Sequence, residues 1–163
     1  MPKVRLDAVV QERTGHPLSK AQGMIQTGKV RTLDGTPLIQ PGVQVDPSIE
    51  LNIDEGPKYV SRGGLKLEAG LERFPIDLSD RICIDVGSST GGFTDCMLQY
   101  GARHVYAVDV GYGQLDWKLR QDERVTVMER TNIRNVSPGD LSDAPSFFAV
   151  DCSFISLKRI LPP

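Results

Sequence analysis

The pattern of hydrophobic and polar positions divides the chain into two segments of unequal length. Apolar residues recur with helix and strand periodicity over residues 1–53 and again over residues 61–163. Between them, residues 54–60 lack such periodicity and include glycine, proline and acidic residues, which are typical of a connecting loop. We therefore predict a small N-terminal domain, a short linker and a larger C-terminal domain.

The N-terminal segment is predicted to contain two short helices followed by strands. Apolar residues within positions 6–10 have helical spacing, and the S-x-x-Q pattern from Ser19 to Gln22 is a capping box for a second helix. Gly28 is a suitable residue to end that helix. Residues 49–53 alternate between apolar and polar positions, as a strand with one buried face does.

The C-terminal segment is predicted to alternate strands and helices, which indicates an α/β domain. Its sharpest feature is a strand, a glycine-rich loop and a helix in succession. Residues 82–86 form an apolar run, residues 87–92 read Gly-Ser-Ser-Thr-Gly-Gly, and apolar side chains from Phe93 to Tyr100 fall on one helical face. Three further strands are predicted, at residues 104–109, 125–129 and 147–151.

The residues around this loop favour a nucleotide-type cofactor that carries positive charge. Glycines let a backbone approach a ligand closely, and the following helix presents free N–H groups at its N-terminus. Asp109 follows Asp85 by 24 positions (109 − 85), near the roughly 20-residue offset at which an acid reaches ribose hydroxyls. No P-loop lysine follows the glycines, and Asp85 suits the amine and cationic sulfur of S-adenosylmethionine better than a pyrophosphate. A tight strand–helix turn without a ligand is the alternative.

Composition excludes several classes of protein. The 163 residues carry 19 Lys+Arg against 21 Asp+Glu, so the chain is not a uniformly basic nucleic-acid binder. Three scattered cysteines without Cys-x-x-Cys spacing predict a cytoplasmic location, with neither a disulfide framework nor a metal site. No apolar run approaches the roughly 18 residues of a membrane span, and the N-terminus lacks the apolar core of a signal peptide.

The charge is nevertheless distributed unevenly along the chain. Residues 1–33 carry six basic side chains against two acidic ones, whereas residues 32–57 contain five acids and no Lys or Arg. A solvated helical face is the simplest interpretation of the basic cluster. A nucleic-acid contact surface is the alternative, and it depends on more specific signals.

Several stretches of the N-terminal segment resemble the S4 domain, a small RNA-binding module. The resemblance spans roughly residues 3–53, and its motifs are Arg-Leu-Asp from residue 5, Ser-Lys-Ala-Gln from residue 19, Gly-Lys-Val from residue 28 and Pro-Gly at residue 41. The usual Val-Asn-Gly is replaced by Leu-Asp-Gly at residues 33–35. The resemblance implies basic side chains that contact RNA phosphates without reading sequence. The matching positions are Arg5, Lys20, Lys29 and Arg31.

The chain as a whole resembles the TlyA-type proteins, also called haemolysin A. Three ordered blocks carry the resemblance: Lys-Tyr-Val-Ser-Arg-Gly-Gly-Leu-Lys-Leu at 58–67, Asp-Val-Gly-Ser-Ser-Thr-Gly-Gly-Phe-Thr-Asp at 85–95, and Phe-Ala-Val-Asp-Cys-Ser-Phe-Ile-Ser-Leu at 148–157. The resemblance implies an S4 domain followed by an FtsJ-like, Rossmann-like methyltransferase fold with strand order 3-2-1-4. It further implies S-adenosylmethionine-dependent methylation of a cytidine ribose 2′-hydroxyl in ribosomal RNA.

The same resemblance assigns roles to individual residues. Lys66 and Asp151 match the first lysine and the aspartate of the family's Lys-Asp-Lys-Glu constellation, and an orienting, electrostatic role is implied for Lys66. The alternative for Lys66 is a lysine that extends along the apolar side of its helix. Trp117 is predicted to pack rather than to stack on a base. The implied cofactor-binding residues are Asp85, Gly87, Ser88, Gly91, Gly92, Asp109, Val110 and Asn132, and Arg62 joins the RNA-binding set.

The motifs account for four of the seven strands that this resemblance implies. No later strand is available to carry the family's second lysine and glutamate, so we expect a truncated form with impaired catalysis and an exposed apolar edge at the fourth strand. The implied partners are ribosomal RNA or ribosomal subunits, with no membrane and no metal ion. Two alternatives remain: a non-enzymatic RNA-binding or ribosome-associated factor, and a membrane-active haemolysin, for which the sequence has neither a span nor a basic amphipathic helix.

Overall fold

The computed structural model describes residues 2–153 and 155–161. Met1, Phe154 and residues 162–163, which the predicted domains include, lie outside the described residues. The chain forms two compact units, Met1–Lys58 and Tyr59–Pro163. The division between them falls within the stretch predicted as a linker.

The first unit consists of two helices and two pairs of short antiparallel strands. Its elements are β1 (Val4–Arg5), α1 (Leu6–Thr14), α2 (Leu18–Gln26), β2 (Val30–Thr32), β3 (Gln44–Val45) and β4 (Leu51–Ile53). Strand β1 pairs with β3, and β2 pairs with β4. The helices and strands enclose one apolar core, in which the side chains of Leu6, Val10, Ile25 and Val30 are fully buried. The helical spacing within positions 6–10 is therefore confirmed as the buried face of α1.

The second helix begins earlier than its predicted capping box. Helix α2 starts at Leu18 and has Pro17 as its N-cap, so Ser19 lies inside the first turn rather than ahead of it. The proline ring holds φ at −57°, close to the helical value, and the Pro17 carbonyl accepts hydrogen bonds from the N–H groups of Lys20 and Ala21. The predicted capping box is thus wrong, because the fixed backbone of proline starts the helix first.

The predicted end of this helix is confirmed. Gly28 has φ of +72°, a left-handed conformation that favours glycine. The N–H groups of Gly28 and Lys29 donate to the carbonyls of Ile25 and Met24, respectively, and so close the last turn.

The second unit is an α/β domain built on one parallel sheet. Its elements are α3 (Gly63–Arg73), β5 (Ile82–Val86), α4 (Gly92–Gln99), β6 (His104–Val108), α5 (Trp117–Arg120), β7 (Val125–Met128) and β8 (Phe147–Val150). The strands lie in the order β7-β6-β5-β8 and all three pairings are parallel. The four predicted strands and the predicted order 3-2-1-4 are both confirmed.

Strand β5 is central, and all five of its residues are buried. Successive side chains of a strand point to opposite faces of the sheet. Cys83 belongs to the core under the helices, together with Leu71 and Met97, whereas Ile84 packs on the other face with Ile160. Asp85 therefore points toward the helices, into the same core as Cys83. Strand β8 lies at the sheet edge, as predicted.

The helices of both units are short, and the longest spans 11 residues. None of the described helices is long and apolar enough to cross a membrane. Helix α5 has only four residues and turns Leu119 inward, so its first residue, Trp117, remains 70% exposed. The predicted packing of Trp117 is therefore wrong, because one turn of helix has a single inward position and Leu119 occupies it.

Candidate functional site

Most of the catalytic and cofactor-binding residues predicted from the sequence lie where β5, β6 and β8 end, at the carboxyl edge of the sheet. Parallel strands bring their carboxyl ends together, and ligands of open α/β sheets bind beyond that edge. Two cavities open there: one of about 520 Å³ across the strand ends, called the larger cavity, and a polar one of about 200 Å³ beside the glycine loop, called the smaller cavity. Asp151, directly after β8, lines both.

A third cavity has a greater volume, about 950 Å³, but different chemistry. It runs along the apolar face of the sheet beside Ile84, Phe148 and Ile160, and none of the predicted site residues lines it. A functional site is marked by polar groups that converge in a cavity, so volume alone does not identify it. The convergent polar groups of the second unit lie at the two cavities of the carboxyl edge.

Gly87 begins the glycine loop and lies against the end of β8. Its φ is +79°, and a Cβ at this position would come within 2.5 Å of the Asp151 carbonyl oxygen and 3.0 Å of Cys152 Sγ. Only glycine fits such a close approach with a left-handed backbone. Gly87 lines both cavities and Ser88 lines the smaller one, so both predicted positions border the site.

Gly91 and Gly92 are required by packing between helices. A Cβ on Gly91 would collide with the Leu119 side chain of α5, and one on Gly92 would collide with Ser61 and Gly64 at the start of α3. Gly92 also lines the smaller cavity, whereas Gly91 lines neither cavity. The structure therefore gives both glycines a packing role, and the cofactor contact expected for Gly91 stays a prediction.

Asp85 is completely buried beneath the loop. Thr94 Oγ1 in α4 donates a 2.7 Å hydrogen bond to Asp85 Oδ2, and Oδ1 has no partner among the described residues. Burial raises the pKa of this carboxyl to about 7; the bond from Thr94 opposes the rise, and the charges of Asp109 and Asp151 add to it. Asp85 lines neither cavity, so the predicted contact with the methionine end of a cofactor stays a prediction.

Asp109 follows β6 and is held in place by two backbone N–H groups. Ser89 N donates to Asp109 Oδ2 and Gly111 N donates to Oδ1, each at 2.7 Å. The carboxylate borders the larger cavity, where it can accept further hydrogen bonds from a ligand. This arrangement fits the ribose position predicted for Asp109.

Val110 and Asn132 line the same cavity. Val110 is 73% exposed, so an apolar surface is available there to a planar ring. Asn132 Oδ1 accepts a 3.1 Å hydrogen bond from Arg134 N and caps the 3-10 turn Ile133–Asn135. Asn132 is thus both a turn residue and part of the cavity wall.

Lys66 and Asp151 form an ion pair across 85 positions of sequence. Lys66 Nζ in α3 donates to Asp151 Oδ2 at 3.0 Å, and the two side chains are 67% and 45% exposed. The pair lies open to solvent beside the cavities rather than in the core. Asp151 lines both cavities whereas Lys66 lines neither, so the orienting role of Lys66 stays a prediction. Its ammonium pairs with Asp151 instead of lying along the apolar side of its helix.

Helix α3 is anchored to α4 through groups that the sequence pattern did not indicate. Asp95 is buried in α4, and its Oδ2 accepts a 2.8 Å hydrogen bond from Val60 N. A Cβ on Gly64 would collide with the buried ring of Tyr59, whose hydroxyl donates to Glu68. The one available signal was that Asp95 belongs to the first turn after the glycine loop, where a polar side chain reaches neighbouring backbone. Lys66 therefore sits on a helix whose start is fixed against the loop.

The residues predicted to contact RNA are all exposed, but their side chains are engaged differently. Arg5 bonds the buried carboxylate of Asp7 at 3.0 and 2.6 Å, and this guanidinium lowers the pKa of Asp7 to about 2. Arg31 donates to the Gly28 carbonyl at 3.2 Å. The side chains of Lys20 and Lys29 form no hydrogen bond or ion pair with described residues, and Arg62 precedes α3 in the second unit. The charge of Arg5 is thus largely neutralised within the chain.

Comparison with known proteins agrees with this geometry. A profile of the FtsJ-like methyltransferase family matches residues 59–163. YqxC of Bacillus subtilis (strain 168), provisionally named an rRNA methyltransferase, is 53% identical over 163 residues, which cover 98% of this chain and 58% of YqxC. A second relative is the 16S/23S rRNA (cytidine-2'-O)-methyltransferase TlyA of Mycobacterium tuberculosis (strain CDC 1551 / Oshkosh). The two sequences are 44% identical, and the match covers 98% of this chain and 60% of TlyA. Hemolysin A of Brachyspira hyodysenteriae is 40% identical, with 98% and 67% covered.

A solved structure leads to the same family. A protein from Streptococcus thermophilus, provisionally described as a hemolysin, is 47% identical with a TM-score of 0.63, and the match covers 99% of this chain and 60% of that one. The chain spans about three fifths of the length of the first curated relatives it matches. The predicted resemblance to TlyA and haemolysin A is confirmed by these matches. The chain belongs to the FtsJ-like methyltransferase family.

Proposed function

We propose that this protein transfers the methyl group of S-adenosylmethionine to a ribose 2′-hydroxyl of ribosomal RNA. The observation that carries the proposal is the exposed Lys66–Asp151 pair, which stands beside two cavities at the carboxyl edge of a methyltransferase sheet. A relative named as a (cytidine-2'-O)-methyltransferase of 16S and 23S rRNA supports a cytidine ribose as the acceptor. A ribosomal RNA substrate also supports a cytoplasmic location.

The residues of the site fit S-adenosylmethionine. The larger cavity lies within the range of about 300–1,000 Å³ typical of small-molecule sites, and it offers Asp109 to ribose hydroxyls and Val110 with Asn132 to an adenine ring. The smaller cavity, with the backbone of Gly87 and the side chain of Ser88, suits the methionine end. When bound, the cofactor supplies an electrophilic methyl group on a cationic sulfur. The buried, unpartnered oxygen of Asp85 favours a nearby positive charge.

Lys66 and Asp151 would position the acceptor ribose. Asp151 lines both cavities and holds the Lys66 ammonium, whose remaining N–H groups can donate to a ribose oxygen. Fixing the hydroxyl in line with a methyl donor removes its orientational freedom before the reaction. The loss of this freedom is a large part of the barrier when two reactants must first meet in solution. The ammonium also stabilises negative charge as it develops on the oxygen.

We further propose that the first unit is an S4 domain that binds RNA through Lys20 and Lys29. Both side chains are exposed and neither is engaged by a described residue, in contrast to Arg5. Free lysines on one small unit can contact phosphates and release counterions. Substitution of Lys20 by alanine should lower RNA affinity and reduce its salt dependence by about one unit of slope.

Calorimetry with S-adenosylmethionine tests the cofactor site on the full chain. Asp109→Asn should weaken binding by roughly 10- to 100-fold, because a charged acceptor of ribose hydrogen bonds is lost. The matched control is Glu123→Gln, which removes an exposed carboxylate just before β7, at the opposite edge of the sheet. Equal affinities for Asp109→Asn and the unaltered chain would contradict the assignment of Asp109.

Methyl transfer from labelled S-adenosylmethionine to ribosomal RNA tests the reaction. Because the motifs matched in this sequence include neither the family's second lysine nor its glutamate, we expect transfer by this chain to be slow. The label that is transferred should appear in dinucleotides that resist alkaline hydrolysis, because a methylated 2′-oxygen cannot attack the neighbouring phosphate. Lys66→Ala should abolish detectable transfer yet change the unfolding free energy by less than about 1 kcal/mol, since an exposed ion pair contributes little to stability. Transfer that survives in Lys66→Ala would remove this residue from the reaction.

The free lysines of the first unit favour one alternative, a non-enzymatic RNA-binding factor. RNA affinity that depends on Lys20, together with no binding of S-adenosylmethionine to the unaltered chain, would support this alternative over methyl transfer. Calorimetry and the measurement of RNA affinity together separate the two proposals.

A further inference from the structure

The loops after β6 and β7, which contribute residues to the wall of the larger cavity, also carry an exposed aromatic ring and a guanidinium. Arg130 Cζ lies 4.4 Å from the centroid of the Tyr112 ring, which is a cation–π contact. Tyr112 is 68% exposed, and Arg130 is also exposed. Val110 and Thr131, close to these residues in sequence, line the larger cavity. We call Tyr112 and Arg130 the stacking pair.

The backbone of the stacking pair is held in an unusual conformation. Arg130 has φ of +47°, a left-handed value that residues other than glycine adopt rarely. The hydrogen bonds from Arg130 N to Gly111 O and from Thr131 N to Asp109 O, both 2.9 Å, join the two loops. Strain of this kind persists where the surrounding structure enforces it, and it clusters at ligand-binding positions. These two hydrogen bonds fix the backbone of Arg130 beside that of Asp109 and Gly111.

The positive charge of Arg130 is available to a ligand. Its neighbour Glu129 forms an ion pair with Arg120 and accepts a 2.9 Å hydrogen bond from Gly113 N. The bond from Arg120 chiefly holds the pKa of Glu129 below its usual value, with smaller contributions from Gly113 N and from the charge of Arg130. Groups other than Arg130 therefore supply most of the compensation of this carboxylate. Within residues 2–153 and 155–161, no carboxylate lies within ion-pair distance of Arg130.

We propose that the stacking pair binds an unpaired base of the RNA substrate, next to the nucleotide whose ribose enters the site; this inference rests on the proposed function. A ribose reaches a cavity at a sheet edge only if its nucleotide leaves the RNA helix, and exposed bases then stack on aromatic side chains. Arg130 covers one face of the Tyr112 ring and leaves the other for a base, while the guanidinium is free to contact a phosphate.

A role in folding does not explain these residues. A ring that is 68% exposed contributes little to a core, and the left-handed Arg130 lowers rather than raises the stability of its loop. The adenine of the cofactor is the other planar group that could stack on Tyr112, because Val110, two positions earlier, borders the larger cavity. The experiment must therefore measure RNA and cofactor binding separately.

The test uses the full chain with two probes: a short single-stranded oligoribonucleotide that carries 2-aminopurine, and S-adenosylmethionine. Tyr112→Ala should weaken binding of the oligoribonucleotide by roughly 5- to 100-fold and abolish the fluorescence quenching that stacking causes. Tyr112→Phe keeps the ring and should retain both within about twofold. S-adenosylmethionine should bind all three proteins equally. The salt dependence of RNA affinity should be the same for Tyr112→Ala and the unaltered chain, because stacking releases no counterions.

Two further variants keep the test independent of folding. Arg130→Gly relieves the strain of the left-handed backbone, so this variant should fold. Because it lacks the guanidinium, it should nevertheless bind RNA less tightly than the unaltered chain. Phe74→Ala removes an exposed ring, 62% accessible, that follows α3 away from the cavities, and it should bind both probes normally.

Three outcomes would overturn the proposal. Loss of S-adenosylmethionine affinity in Tyr112→Ala with unchanged RNA affinity would assign the ring to adenine. Unchanged affinity for both probes would show that the pair binds neither. An unaltered chain that binds S-adenosylmethionine but no RNA would contradict the RNA substrate of the proposed function as well, whereas the first two outcomes leave that function intact.

Discussion

The carboxyl group of Asp85 couples the candidate site to the stability of the second unit. It lies in the central strand, entirely buried, with one oxygen bonded to Thr94 and the other without a partner among the described residues. A buried carboxylate of this kind is costly in its charged form, so the folded protein retains the proton to higher pH. Asp85 therefore makes part of the stability of this unit depend on pH.

The unaltered protein should become less stable as the pH rises, because Asp85 must ionise in the core. We expect Asp85→Asn to remove this decrease. The pKa of Asp85 is about 7 in the folded protein and near 3.8 in the unfolded chain, so the folded state binds more protons between these values. Stability then falls as the pH rises from about 4 to about 7, and the neutral amide avoids this fall. Thermal unfolding between pH 4 and pH 8 should show that the advantage of Asp85→Asn increases with pH.

The exposed carboxylate of Glu123 provides the control for this measurement. Glu123→Gln should change the melting temperature by a similar small amount at every pH, because its side chain is exposed in the folded chain. An advantage of Asp85→Asn that is equal at pH 4 and pH 8 would show that Asp85 is ionised throughout this range.

Residue types were predictable from the sequence where a motif specifies them, but their environments were not. The motifs singled out Lys66 and Asp151, and the structure brings their side chains within 3.0 Å. Neither the unpartnered oxygen of Asp85 nor the neutralisation of Arg5 by Asp7 follows from spacing, because both depend on how deeply a side chain is buried. Asp95 was missed for the same reason.

At the scale of elements, the start of α3 determines where Lys66 lies. Gly64 is in van der Waals contact with the ring of Tyr59, and Asp95 holds the backbone just ahead of the helix. A helix fixed at its N-terminus carries the following turn with it, so these contacts place the backbone of Lys66, and the ion pair with Asp151 then holds its ammonium. Changes at these glycines should affect stability and the position of Lys66 together.

Two glycines of α3 allow a matched prediction. Gly64→Ala should lower the unfolding free energy by about 1–3 kcal/mol, because its Cβ would overlap the buried Tyr59 ring. Gly70→Ala adds the same methyl group to the same helix with nothing within 4 Å, so it should raise the unfolding free energy by about 0.5–1 kcal/mol. Urea unfolding of both variants checks the pair, and effects of equal sign would contradict the packing described here.

The elements themselves were largely predictable. Four strands and the helix after the glycine loop follow from apolar periodicity, which burial on a sheet imposes directly. The start of α2 and the exposure of Trp117 were not predicted correctly, because each depends on competition between neighbouring residues: Pro17 against Ser19, and Leu119 against Trp117. Such competition is settled by packing and backbone geometry rather than by sequence pattern.

At the scale of the whole molecule, the second unit exposes an apolar surface away from the candidate site. Strand β8 forms one edge of the sheet. Its residue Phe148 is 56% exposed and borders the third cavity described above, a groove of about 950 Å³ on the apolar face of the sheet. Exposed sheet edges and exposed apolar side chains promote association between chains. The predicted exposed edge is confirmed, and it has a measurable consequence.

We expect Phe148→Ser to reduce association of the chain with itself and with hydrophobic dyes. The substitution removes the exposed ring from the groove without altering the cavities at the carboxyl edge. Light scattering as a function of protein concentration and the fluorescence of an added dye measure the two effects. Phe74→Ser, which removes a comparably exposed ring elsewhere, is the control, and equal behaviour of the two variants would contradict a role for this face.

The division into two units was also indicated by the loss of periodicity after residue 53, and the unit boundary lies at residues 58 and 59. What spacing could not establish is how much of each surface is free to bind. That property depends on ion pairs within the chain, such as the one between Arg5 and Asp7, which only a folded arrangement brings together.

The order of the strands in the sheet also determines when each wall of the candidate site forms during folding. Strand β5 pairs with β6 soon after it in the chain, but its other neighbour, β8, lies far downstream, and Lys66 meets Asp151 across 85 positions. Contacts between distant positions form late, because closing long loops precedes any gain from pairing. During synthesis the strands β5, β6 and β7 can assemble while β8 is still absent, and both cavities then lack the wall that Asp151 supplies. Cofactor binding would therefore begin only when β8 pairs with β5, and it would report that long-range pairing.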